Sequence, residues 1–430
     1  MNLLGRLAES FGRTSSQRSA ERLAERLRML ASQRGEASGA LLARRAVGLY
    51  GRLDAVGRRH LFEVLARDFS PEPEAVLQAA VAYHHDPSSD NLARLQRATE
   101  PLRQEIFRRM NMAPGGTATL LALRAQLLSA MKEDPSLVVV DRDLQHLLSS
   151  WFNRGFLELK RIDWRTPAST LEKLIQYEAV HEIRGFPDLK RRLESDRRCF
   201  AFFHPALPDE PLIFVEVALL DDMPSDVAPI LNTESAVGDP RRARCAVFYS
   251  ITSTQSGLRG ISFGNFLIKQ VAEDLHGELP NLKLFVTLSP IPGFRKWAER
   301  EAPAVPAVAD SAVPSGEADR EALESLAAFY LTREWEGGHA CDPVARFHLG
   351  NGARLERINW RADGSTKGIA QAYGMMVNYV YDLAMVERNH EEYVNRRHVV
   401  CSGAVDKLAR AAEPLLVARM PTAPSAPVPG

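Results

Sequence analysis

The sequence predicts a multi-domain protein, an all-α N-terminal helical bundle followed by an α+β domain. Three observations carry this reading. At 430 residues the chain is longer than one hydrophobic core usually serves. Residues 1–155 place apolar side chains at helical spacing with almost no strand-like run. From about residue 198 the text turns to β-branched and aromatic runs bounded by turn residues.

In the first domain Leu23, Leu27 and Leu30 recur at helical intervals, then Leu41, Leu42 and Ala46, and later Leu120, Leu121, Leu123, Leu127 and Leu128. Breaks with turn or capping chemistry fall at Ser70-Pro71, Asp86-Pro87-Ser88-Ser89 and Ala113-Pro114-Gly115-Gly116. Six or seven helices with short connections are expected, and the pair His84-His85 reads as surface or cap histidines. The first 22 residues are Arg- and Ser-rich in the manner of a transit peptide. Glu9, Glu21 and Glu25 interrupt that pattern, so a plain helix and a cytoplasmic location are expected.

Composition narrows the function classes. With 45% hydrophobic and 25% charged residues the chain reads as soluble and globular, and no apolar run reaches the length of a membrane span. The 54 basic and 54 acidic residues cancel, so no global field favours nucleic acid or an anionic membrane. Any anionic ligand must be held by a local site. Cys199, Cys245, Cys341 and Cys401 form no CxxC pair, and the first two lie in apolar runs; they read as reduced, buried thiols and not as a zinc site.

The second domain is read over residues 156–418. Helices near 169–181 and 187–195 precede a strand at 198–204, a turn at 207–211 and a strand at 212–219, which together form an antiparallel hairpin. A strand at 245–251, a Gly-rich loop, a helix at 263–276 and a strand at 283–288 follow. The Ala/Pro/Val-rich stretch at 301–317 reads as a flexible insertion, and 419–430 as a disordered tail.

The Gly-rich loop joins a strand to a helix. Gly257, Gly260 and Gly264 let backbone N–H groups approach a bulky anion, the helix N-terminus adds unsatisfied donors, and Arg259 adds a directed charge. That is a cradle for a pyrophosphate, although a structural turn uses the same residues. No Gly-Lys-Ser/Thr follows, which argues against a P-loop, and antiparallel strands before it argue against a dinucleotide fold. The arrangement R-G-x-x-x-G-x-x-L after a strand resembles the CoA-pyrophosphate loop of the GNAT superfamily.

Three further phrases stand out. In LSPIPGF, Pro290 and Pro292 stiffen the backbone, which holds the Ser289 hydroxyl in one place; the plainer alternative is a rigid connector with Ser289 as a cap. In FHLGNGARLERINW, His348 precedes Gly-Asn-Gly and reads as part of a tight turn, not an apolar helix face. The last is GMMVNYVY. With FYSITSTQSGLRG, in this order and spacing, these phrases resemble the malonyl-CoA decarboxylase family from about Trp151 to Leu408.

The resemblance implies a GNAT-like, acyl-CoA-binding catalytic domain and an N-terminal domain that serves oligomerisation, with a homotetramer as the assembly. It implies that Ser289 and His348 are catalytic, that Ser250 and Tyr381 line the malonyl group, and that Arg259, Gly260, Ile261, Ser262, Phe263, Gly264 and Asn265 bind CoA. Animal members carry a glutamate where this chain has Ser262, which weakens a role for an acidic residue there.

The implied reaction converts malonyl-CoA to acetyl-CoA and CO2, within malonate and fatty-acid metabolism. Loss of CO2 pushes an electron pair into the thioester carbonyl, giving an enolate that a general acid, His348, protonates. Because the thioester is its own electron sink, no cofactor and no metal are expected. Two rivals remain: a GNAT-type N-acyltransferase, for which LSPIPGF and FHLGNG have no evident task, and a non-catalytic acyl-CoA sensor.

Overall fold

The computed structural model describes residues 3–32, 35–261, 267–309 and 316–417. They form two compact units. One holds 1–157 with 204–208 and the described part of the Gly-rich loop, 255–261; the other holds the rest.

The first unit is helical. Its helices are Leu3–Ser32, Glu36–Arg52, Ala55–Asp68, Pro73–His85, Ser89–Thr99, Leu102–Asn111, Gly116–Ala130 and Val138–Trp151. Eight helices are therefore described where six or seven were expected. The signals underweighted were Asp54, which caps the third helix by accepting from the Gly57 amide at 2.8 Å, and Glu100-Pro101. Leu23, Leu27 and Leu30 are buried as their spacing predicts, and Leu61, Leu65, Phe107, Leu127 and Leu144 are buried in the same unit. Burying each such side chain contributes roughly 1.5–3 kcal/mol. Two buried ion pairs, Arg103 with Asp143 and Arg124 with Asp141, cross this core. His84 and His85 are exposed at a helix end.

The second unit is built on one mixed sheet. Its strands are β1 (Glu158–Ile162), β2 (Arg197–Phe203), β3 (Ile213–Leu220), β4 (Cys245–Ser253), β5 (Leu284–Thr287), β6 (Ser289–Pro290), β9 (Arg354–Asn359) and β10 (Met376–Val380). The short strands β7 (Trp335–Glu336) and β8 (His339–Ala340) form a separate hairpin. β1 to β4 are antiparallel neighbours in chain order, with Cys199 opposite Glu216 in the expected hairpin. β4 and β5 pair in parallel, joined through the helix Leu267–Glu278. β5 and β6 lie along one edge of β10, and β9 along the other.

One detail of this sheet positions the site. Parallel pairing of β4 with β5 ends at Phe248 and Thr287, yet β4 runs on to Ser253. The two strands part there. Beneath them Val247, Tyr249, Val286, Leu288, Met376 and Val380 form one apolar cluster. Cys199, Ala201 and Phe214 pack with Leu174 and Leu189, from the helices Ala168–Tyr177 and Phe186–Arg192, in another.

Two expectations are corrected. The stretch at 301–317 is not a loose insertion over its described part, because Ala302, Val305, Ala307 and Val308 are buried and Pro306 opens the short helix Pro306–Ala309. Small aliphatic side chains suffice for burial there, and the Val308 carbonyl accepts from the Tyr373 hydroxyl at 3.3 Å. Residues 310–315 and the tail at 418–430 lie outside the described residues. The second correction concerns His348, which stands in the last turn of the helix Pro343–Gly350, with its ring buried.

Candidate active site

Ser289 opens β6, opposite Val377 of β10, two residues past Thr287, where β4 and β5 part. Its Oγ donates to Thr287 Oγ1 at 2.8 Å and lies 3.0 Å from His348 Nε2. Thr287 Oγ1 also accepts from the Tyr379 amide at 3.2 Å. On the other side of the imidazole, Nδ1 lies 2.8 Å from the Tyr381 hydroxyl. Since the serine proton is used on Thr287, the hydrogen on Nε2 belongs to His348, and Nδ1 accepts from Tyr381. The bonds then run in one direction, from Tyr381 through His348 and Ser289 to Thr287.

This chain is dry. Ser289 is 5% exposed, His348 3% and Tyr381 1%. The His348 ring stacks on Tyr379 with centroids 4.6 Å apart, and the Tyr381 ring meets Phe248 edge-on. Burial alone pushes the His348 pKa down to about 3, and burial drives the Tyr381 hydroxyl well above the usual phenol value. The imidazole is therefore neutral at physiological pH. A proton that leaves it is the N–H it already carries, not the second proton of an imidazolium.

Residues other than the three in this chain set its geometry. Asp342 caps the helix bearing His348, its Oδ1 accepting from the Val344 and Ala345 amides at 2.9 and 3.0 Å. Its Oδ2 accepts from the Gly293 amide at 3.2 Å, in the loop that follows Ser289. Burial pushes this carboxyl up to about 6 against the pull of those three donors. Asn378 donates to the Thr287 carbonyl at 2.8 Å and accepts from Asn359 at 2.8 Å, which holds the end of β5. Gly352 explains the Gly-Asn-Gly phrase: with φ of 79°, a side-chain carbon there would come within 2.0 Å of the Val386 carbonyl oxygen. The Asp342-Pro343 dipeptide is a legible helix start; Asn378 lies in the GMMVNYVY phrase without being marked as a site residue, and Thr287 carries no signal beyond polarity inside a strand.

The structure joins Ser289, His348 and Tyr381 but not Ser250. That hydroxyl lies on the part of β4 beyond β5 and donates to Glu178, whose oxygens are 2.8 and 2.9 Å away. Glu178 also accepts from Thr252 Oγ1 at 3.2 Å and from the Val180 and His181 amides at 2.7 and 2.9 Å.

The described loop residues belong to the helical unit. The amides of Leu258, Arg259 and Ile261 bond inside the loop to the carbonyls of Gln255, Ser256 and Leu258. Over 255–261 these three groups close a tight turn, with Gly260 at φ 77°, and the Arg259 side chain is exposed. Ser262, Phe263, Gly264 and Asn265 lie outside the described residues.

A mixed sheet whose parallel strands part beside a buried, hydrogen-bonded serine–histidine–tyrosine chain defines an α+β enzyme class. Comparisons with known proteins narrow the class. The family described as malonyl-CoA decarboxylase C-terminal domain matches residues 155–418, and the corresponding N-terminal domain matches 69–152. The mitochondrial malonyl-CoA decarboxylase of Anser anser anser is 35% identical over 84% of this chain and 81% of its own. That of Mus musculus is 36% identical over 72% of this chain and 71% of its own. Among solved structures, the malonyl-CoA decarboxylases of Rhodopseudomonas palustris and Agrobacterium vitis superpose with TM-scores of 0.83 and 0.84. They are 46% and 47% identical, each covering 90% of this chain and 99% of its own. The chain belongs to the malonyl-CoA decarboxylase family.

Proposed function

We infer that this chain decarboxylates malonyl-CoA to acetyl-CoA and CO2. The observation that carries the reading is the Ser289–His348–Tyr381 chain beside the parted strands, in a member of this family. The bond between the malonyl α-carbon and its carboxylate breaks, CO2 leaves, and the electron pair enters the thioester carbonyl. A thioester enolate is a far stronger base than a phenolate, so it needs no imidazolium to protonate it. Ser289 gives its proton to the α-carbon, His348 Nε2 replaces it, and Nδ1 takes the proton of Tyr381, which solvent restores. A neutral histidine suits such a relay, since it gains and loses a proton together and never carries charge in a dry site.

Arg259 and the rest of its loop are proposed to hold the CoA phosphates, with the exposed guanidinium supplying the charge. Self-association is inferred from the helix Pro73–His85, in which Ala79 alone is buried while Leu77 and Val81 lie exposed. Four free cysteines favour a reducing compartment, in line with a cytoplasmic location.

The test is malonyl-CoA supplied alone. Stoichiometric CO2 and acetyl-CoA support the reading; strict dependence on an added amine would replace it with acyl transfer.

A further inference from the structure

Within the helical unit, one buried side chain holds two carbonyls of the Gly-rich loop. Arg124, on the helix Gly116–Ala130, is 2% exposed. Its Nε donates to Asp141 Oδ1 at 2.7 Å, which fixes the guanidinium plane. Its Nη1 then donates to two loop carbonyls, those of Gly257 at 2.7 Å and Arg259 at 2.9 Å. Gln145 adds a longer bond to the Gly260 carbonyl at 3.4 Å. The loop also presses on the same helix: a side-chain carbon at Gly257 would come within 2.1 Å of the Leu121 carbonyl oxygen.

These contacts share a direction. The carbonyls of Gly257, Arg259 and Gly260 all meet helical donors, so the negative ends of those peptide dipoles are consumed inside the unit. The Arg259 side chain is left exposed, on a backbone whose own carbonyl is clamped. A lysine at 124 could neutralise Asp141, but its single ammonium lacks the planar fork that spans a carboxylate and two carbonyls at once.

We propose that Arg124 is a positioning residue for acyl-CoA binding, holding the Gly257–Arg259 backbone so that the Arg259 guanidinium meets the CoA diphosphate without first ordering the loop. The inference rests on the reading that this loop holds the CoA phosphates. The helical unit then has a task in substrate affinity that is separate from any assembly role.

The experiment compares two substrates: malonyl-CoA, and malonyl-pantetheine, which carries the same thioester without the diphosphate. Kinetics and thermal melting are measured for the wild type, Arg124→Lys, the charge-free pair Arg124→Met with Asp141→Asn, and Arg259→Ala. The expected result is a KM for malonyl-CoA raised about tenfold in Arg124→Lys and in Arg259→Ala, with kcat within about twofold and kcat/KM for malonyl-pantetheine unchanged. The double variant shows the same selectivity even if Arg124→Lys is poorly folded. Selective loss in Arg259→Ala without selective loss in either Arg124 variant overturns the proposal and leaves the loop reading standing. Equal loss on both substrates, or a lower Tm with an unchanged KM, makes Arg124 a structural residue and also overturns it. No selective loss in Arg259→Ala removes the loop reading, and the proposal falls with it.

Discussion

Asp342 Oδ2 accepts a hydrogen bond from the Gly293 amide at 3.2 Å, and that bond links the segment carrying Ser289 to the helix carrying His348. The 3.0 Å separation of serine and histidine is thus set partly by a residue that touches neither. Asp342→Asn keeps an oxygen for the Val344 and Ala345 amides but turns an NH2 toward the Gly293 N–H. We expect kcat to fall about tenfold with KM within about twofold. Asp342→Ala also loses the cap and should cost a further ~1 kcal/mol of stability, read by denaturant unfolding. Wild-type kcat in Asp342→Asn would detach this residue from the site.

His348→Ala or His348→Asn should lower kcat by roughly a hundredfold or more while malonyl-CoA still binds. Calorimetric binding beside steady-state kinetics checks both halves. Near-normal turnover would remove the imidazole from proton delivery.

The pH dependence has a definite sign. With a folded pKa of about 3 against an ordinary value near 6.5, His348 is neutral in the native protein and takes up a proton only on unfolding at mildly acid pH. The stability it contributes is full above about pH 6.5 and is lost progressively as pH falls toward 3. Thermal melts at pH 7.5 and 5 should therefore show a larger drop for the wild type than for His348→Asn. The kcat profile should carry no inflection near 6.5 from this residue, and an inflection that disappears in His348→Asn would contradict the neutral relay.

Thr287 accepts the Ser289 proton at 2.8 Å and so decides which way that hydroxyl points. Thr287→Val keeps the shape and removes the acceptor. A loss of about tenfold in kcat is expected, smaller than the roughly hundredfold loss expected for Ser289→Ala. Equal losses in the two variants would mean that Thr287 touches the reacting group itself.

Much of this was readable from short phrases, and what was missed shares a cause. Ser289, His348 and Tyr381 each sit in a distinctive local run, and the sheet register brings the three runs together. Thr287, Asn378 and Asp342 act across that register or across a helix cap, so their roles exist only once distant segments meet. His348 was expected in a turn because Gly-Asn-Gly dominates its neighbourhood, whereas Asp342-Pro343 begins a helix of only eight residues that ends at those glycines. The composition of 301–309 signals flexibility in isolation and cannot register burial against other parts of the chain. The Gly-rich loop was read for its amides, three of which its own turn consumes.

The partnership of Ser250 with Glu178 fixes a polarity. A hydroxyl owns one hydrogen, and here the carboxylate receives it. Toward any ligand alongside the far end of β4, Ser250 accordingly offers lone pairs: it welcomes an amide N–H or a hydroxyl and repels a bare anionic oxygen. Glu178 thereby turns a nominal donor into a reader of donors.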